Sequence, residues 1–137
     1  MSNASPTIPV TINWRNLSAA EARAAWDDLT EWVDWLVNRY RLPVGVVPTC
    51  WVGHGPHVEE LSALHTAWVA AYVVATRSPT AGVEWHSQFD HARRRLAHWT
   101  TADAGSCAGG RTHTAHQQRP ADSSKRTATV PADMAAE

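Results

Sequence analysis

Trp85-His86-Ser87-Gln88-Phe89-Asp90-His91-Ala92-Arg93-Arg94-Arg95-Leu96-Ala97-His98-Trp99 decides how this chain folds. Its apolar members Trp85, Phe89, Ala92, Leu96 and Trp99 recur at steps of four, three, four and three. That spacing gathers them on one face of an α-helix and leaves the arginines beside or behind it. A helix with one such stripe must bury it against another surface.

Two earlier stretches offer partners. Ser18-Ala19-Ala20-Glu21 reads as a capping box, the serine oxygen taking the N3 amide and the glutamate reaching back. From there Ala22, Ala25, Trp26, Leu29, Trp32, Val33, Leu36, Val37 and Tyr40 follow helical spacing. Pro43 stops this helix near Tyr40, because proline cannot continue it and disfavours the helical region at Leu42. The next helix is expected to start at Pro56 or His57, with a stripe of Val58, Leu61, Leu64, Trp68, Ala71 and Tyr72. The third begins between Ser78 and Val83 and runs to about Thr101. Between the first two, Pro43-Val44-Gly45-Val46-Val47-Pro48 is bounded by prolines and predicted to be extended. Before the first, Ile8, Val10, Ile12 and Trp14 alternate with polar residues or proline, the pattern of an extended arm with one apolar side. The predicted fold is all-α: a small three-helix bundle with an extended N-terminal arm and a disordered C-terminal tail. Residues 1–7 form a disordered N-terminus, 8–101 the helical domain and 102–137 the tail. The tail contains no Leu, Ile, Phe, Trp or Tyr and cannot bury enough surface to offset its ordering entropy.

Composition sets the limits on function. Hydrophobic residues make up 44% of the chain, but 23 of them are alanine, so the core material is Trp, Val and Leu. Eight tryptophans, each able to bury on the order of 150–250 Å², make a compact core feasible at 137 residues. A net charge of -1 gives no global pull toward nucleic acid or an anionic membrane. Cys50 and Cys107 fall in the folded part and the tail respectively, which does not describe a disulfide scaffold. The N-terminus lacks a basic start and an apolar h-region, and no apolar run approaches ~18 residues, so a cytoplasmic protein without a membrane span is expected.

Four groups of residues carry candidate chemistry. Cys50, His54 and His57 have C-x3-H-x2-H spacing that would suit a shared zinc ion, with His86 or His91 as a fourth ligand. The spacing matches no standard finger, and the competing reading has Cys50 as a small buried residue and His57 exposed in the first turn of its helix. Arg93, Arg94 and Arg95 form the one basic cluster. With Arg39 and Arg41 they would make a phosphate-binding patch if the fold gathered them, although consecutive helix positions diverge by ~100°. Asp27, Glu31 and Asp34 form an acidic stripe that reads first as a solvated helix face. His86, His91 and His98 read as partly exposed helix histidines, and no catalytic residue stands out. Five tryptophans fit core stripes; Trp35 beside the main stripe and Trp51 in the connector do not, and an exposed tryptophan is a typical anchor for a protein partner, the competing reading being that Trp51 covers the end of the bundle.

The order Trp26…Trp32-Val33-Asp34-Trp35-Leu36, then Cys50-Trp51…His54…Val58-Glu59-Glu60-Leu61-Ser62-Ala63-Leu64…Ala67-Trp68, then Trp85-His86…Phe89-Asp90…Leu96, resembles an uncharacterised family of small, tryptophan-rich actinobacterial proteins. The resemblance covers about Asn13 to Thr101. Such proteins are often carried on plasmids, prophages or integrated conjugative elements, so it implies an accessory protein of a mobile element. The comparable histidine is often followed directly by proline, whereas Gly55 separates His54 from Pro56 here. The leading expectation is a non-enzymatic, protein-binding accessory factor with Trp35, Trp51 and the His54–His57 segment at its contact surface. A nucleic-acid-binding protein using Arg93, Arg94 and Arg95, and a small zinc protein using Cys50, His54 and His57, are the alternatives.

Overall fold

The computed structural model describes residues 9–74 and 78–103. The disordered N-terminus expected over 1–7 lies outside them, as does the expected tail beyond Asp103. Three α-helices carry the fold: α1 (Ala19–Tyr40), α2 (Gly55–Trp68) and α3 (Ala81–Asp103). No strand occurs among the described residues.

Helix α1 starts where the capping box places it. The Glu21 amide donates to Ser18 Oγ at 3.1 Å, and the Ser18 amide donates to Glu21 Oε1 at 2.8 Å. It ends on Arg41, which adopts the left-handed conformation at φ 55° while the Leu42 amide reaches back to the Val37 carbonyl. That turn drops the Leu42 side chain into the core.

The connector is folded, and here the expectation of an extended segment fails. The amides of Val46 and Val47 both bond the Pro43 carbonyl, and a 3₁₀ turn over Trp51–Gly53 follows. The physical reason lies in the sequence: Val46 and Val47 are adjacent and both buried. An extended strand would send them to opposite faces, whereas a turn sends both inward. The connector returns along the bundle, so α1 and α2 run in the same sense. Trp26 meets Trp51, Trp32 stacks on His65 and Trp35 meets Trp68. Helix α3 runs the other way, pairing Trp85 with Leu64, Arg95 with Glu60 and Thr100 with His57.

The N-terminal arm only partly follows its alternation. Ile12 packs on the core and Trp14 is buried, its indole N–H donating to the buried Ser62 Oγ at 3.1 Å. Val10, expected on the same side, is 74% exposed. At the far end of α2 the chain widens into a π turn over Val69–Val73, closed by the Val74 amide on the Val69 carbonyl. In α3 the stripe Trp85, Phe89, Ala92 and Leu96 is buried as read, but Thr100 rather than Trp99 completes it. A helical period of 3.6 rather than 3.5 drifts the buried line to the later residue. Helix α3 also takes in Ala102 and Asp103, which the sequence had assigned to the tail.

Candidate functional site

Two places in the bundle collect side chains beyond what packing requires. The first is an aromatic face. Trp35 from α1, Trp68 from α2, Tyr72 from the π turn, Trp85 from α3 and Tyr40 at the end of α1 form a closed circuit of rings. Successive centroids lie 5.4, 5.5, 6.2, 5.9 and 6.1 Å apart. Such separations are those of attractive tilted, stacked and edge contacts. The inner members are anchored: the Trp85 indole donates to the Leu64 carbonyl, and the Tyr40 hydroxyl bonds His86 Nε2 at 2.9 Å. Burial raises the Tyr40 hydroxyl pKa, so it stays protonated. The outer members reach water, Trp35 at 41% exposure and Tyr72 at 47%. Gly82 lets Tyr72 in, because a Cβ there would stand 2.9 Å from the Tyr72 hydroxyl. Glu31, one turn before Trp35 on α1, is exposed, as is Asp34, and with Asp27 and Thr30 they line a shallow hollow.

Trp35 is thus at the surface, as its position beside the stripe suggested. Trp51 is not. It is 7% exposed, with its ring 5.9 Å from Trp26, and cannot serve as an outward anchor. The turn of the connector carries it inward under α1. Trp68 and Tyr72, read from sequence as core stripe, supply aromatic surface in its place.

The second place is where the start of α2 meets the end of α3. The Trp51–Gly53 turn sets Cys50 and His54 four residues apart with side chains in contact, Cys50 Sγ lying 3.4 Å from His54 Nε2. The other ring nitrogen of His54, Nδ1, is 2.9 Å from Asp103 Oδ2 in the last turn of α3. His54 is buried, Cys50 is half-buried and the Asp103 side chain is partly exposed. A carboxylate accepts, so the neutral ring carries its proton on Nδ1 and presents a lone pair at Nε2 toward the thiol.

His57 lies one turn on, its ring centroid 6.0 Å from that of His54. It is 0% exposed, against the expectation of an exposed first-turn residue, and its Nε2 lies 3.0 Å from Thr100 Oγ1. Thr100 Oγ1 also bonds the carbonyls of Leu96 and Val46. The single hydroxyl proton serves those carbonyls, so His57 Nε2 donates and Nδ1 is left as a buried lone pair without a partner. Burial, reinforced by the nearby His54, lowers the His57 pKa to about 4.

The three candidate zinc ligands therefore separate. Cys50 and His54 face each other, both His54 nitrogens are engaged, and His57 turns to Thr100. Among the described residues no group of three or more His, Cys, Asp or Glu side chains converges on a point where a metal could sit. Asp103 was invisible as a partner, being 49 residues from His54 in a stretch with no apolar pattern.

The arginines also separate. Arg94 bonds Asp90 on its own helix, Arg95 bonds Glu60 of α2, and the Arg93 guanidinium lies 5.8 Å from the Phe89 ring centroid. Three consecutive side chains thus go to three partners, and none of these contacts is to the acidic stripe of α1. Among the described residues no helix is long and apolar enough to cross a membrane. No protein-family model, curated protein or solved structure matches the chain.

Proposed function

We propose that the chain is a protein-binding accessory factor that docks a partner on the aromatic face centred on Trp35. The observation that carries this reading is the position of Trp35: 41% exposed at the outer edge of the ring circuit, with the exposed Glu31 one helical turn away. Rigid aromatic surface costs little entropy to bring into contact, and interface hot spots are enriched in tryptophan and tyrosine. Indole faces attract guanidinium and ammonium groups, and the neighbouring carboxylates do the same. The partner we assign is accordingly a protein segment bearing Arg or Lys. The setting we assign, from the family resemblance, is the cytoplasm of a cell carrying a plasmid, prophage or conjugative element.

The test is capture of partners from the native host by the full chain, compared with Trp35→Ala and with Arg94→Ala as a control away from the face. Truncating a hot-spot tryptophan costs about 2 kcal/mol or more, roughly thirty-fold in affinity. A stoichiometric protein that is held by the parent and Arg94→Ala, is lost with Trp35→Ala and weakens at high salt is the expected result. Retention of every partner by Trp35→Ala overturns the reading.

A further inference from the structure

We infer that Cys50, His54 and Asp103 form a nucleophilic thiol site that accepts an acyl group from an activated ester or thioester. The inference goes beyond the binding role. The site precedes α2 while Trp68 closes it, and 14 residues of helix at about 1.5 Å each set the two roughly 20 Å apart.

The geometry has three features that thiol catalysis uses. A nucleophile touches a base: Cys50 Sγ and His54 Nε2 are 3.4 Å apart. The base is oriented by a third group, since Asp103 Oδ2 at 2.9 Å from Nδ1 fixes the tautomer that leaves Nε2 as acceptor. The base is sheltered while the nucleophile is reachable, with His54 buried and Cys50 half-buried. A purely structural link between the ends of α2 and α3 would need only the His54–Asp103 contact. It would not need the opposite ring nitrogen to face a sulfur.

The surroundings suit that role. Charged and titratable groups near the site among the described residues include His57 and Glu60 from α2 and Asp103 and Arg95 from α3, with Arg95 paired to Glu60. From α1 the end is met by Trp26 on Trp51. His57 stays neutral at physiological pH, so it places no second positive charge beside the site.

The step balances without a cofactor. The Cys50 S–H proton passes to His54 Nε2 as sulfur bonds the carbonyl carbon of the donor. The tetrahedral adduct collapses with cleavage of the carbon–oxygen bond of an ester, or the carbon–sulfur bond of a thioester, and the leaving group takes the proton from Nε2. Water, deprotonated by the same nitrogen, then attacks the thioester on Cys50. The products are a carboxylic acid and the restored thiol, with His54 acting as base in each half and Asp103 as a positioning residue.

Full-length protein carries its own reference thiol, Cys107. Iodoacetamide alkylation followed by peptide mapping reads the two cysteines separately across pH 5–9. Cys50 is expected to react at least tenfold faster than Cys107 at pH 7, with a pH–rate profile displaced to lower pH. Asp103→Asn, a change at a partly exposed position, is expected to move that profile toward that of Cys107 with the helical circular dichroism unchanged. With p-nitrophenyl acetate, a stoichiometric burst of p-nitrophenolate and one acetyl group on the Cys50 peptide are expected, both absent in Cys50→Ser. Coincident profiles for the two cysteines, a profile unmoved by Asp103→Asn, or alkylation without an acetyl adduct each overturn the proposal.

Discussion

His57 is the residue whose state the fold dictates most strongly. Its ring is sealed between α2 and α3, it donates to Thr100, and its pKa falls to about 4 from the usual 6.5. The unfolded chain therefore takes up a proton that the folded chain refuses, and stability drops as pH falls from about 7 toward 4. His65, whose pKa burial also lowers while it stacks on Trp32, acts in the same direction. Allowing for screening at the bundle end, His57 is expected to account for a loss on the order of 2 kcal/mol across that window. Urea unfolding at pH 7, 5.5 and 4.5 checks this. His57→Gln, which keeps a donor for Thr100 but cannot titrate, should flatten the dependence and leave the part due to His65. An unchanged pH slope in that variant would show that other groups control acid stability. At this scale sequence was a poor guide. Nothing local marks His57 as interior, because its burial depends on Thr100, 43 residues away.

Helix boundaries, by contrast, were legible because they are set by neighbours in the chain. The capping box needs only Ser18 and Glu21, and both bonds form. Ser18→Ala should cost about 1 kcal/mol of stability, read by thermal or urea melts. The other end of α1 stores strain, since Arg41 sits at φ 55° without the freedom of glycine. Arg41→Gly is expected to stabilise the chain, by up to about 1 kcal/mol, as it removes the left-handed penalty. At the start of α3, Gly82 keeps space for Tyr72. Gly82→Ala should improve helix propensity by a few tenths to ~1 kcal/mol while pushing the Tyr72 hydroxyl outward. The melting temperature is then expected to hold or rise while partner binding weakens, a split that a merely damaged fold would not give. The connector was misread at this scale because proline spacing says where helices stop but not where Val46 and Val47 must point.

For the molecule as a whole, the three stripes announced an all-α bundle, and their lengths and order were recoverable from periodicity. Which surfaces remain outside was not, because that depends on how the helices are placed against one another. Trp35 stayed exposed and Trp51 went inside on the strength of a connector that turns back rather than running straight. The heart of the assembly is Trp26, fully buried between Trp14 and Trp51. Trp26→Ala should cost about 3–5 kcal/mol, a large share of the stability of a domain this size, and lower the urea midpoint accordingly. The same-sense course of α1 and α2 has a further consequence during synthesis. Helix α1 is complete at Tyr40, but His65 and Trp68, the α2 rings that cover Trp32 and Trp35, come a full connector and helix later, so no local hairpin can shield those tryptophans first. A ribosome adding about 5–20 residues per second leaves those indoles uncovered for roughly one to six seconds on each nascent chain. That interval exposes the growing polypeptide to holding chaperones and to its neighbours on a polysome, and slowing translation downstream of codon 40 would lengthen it.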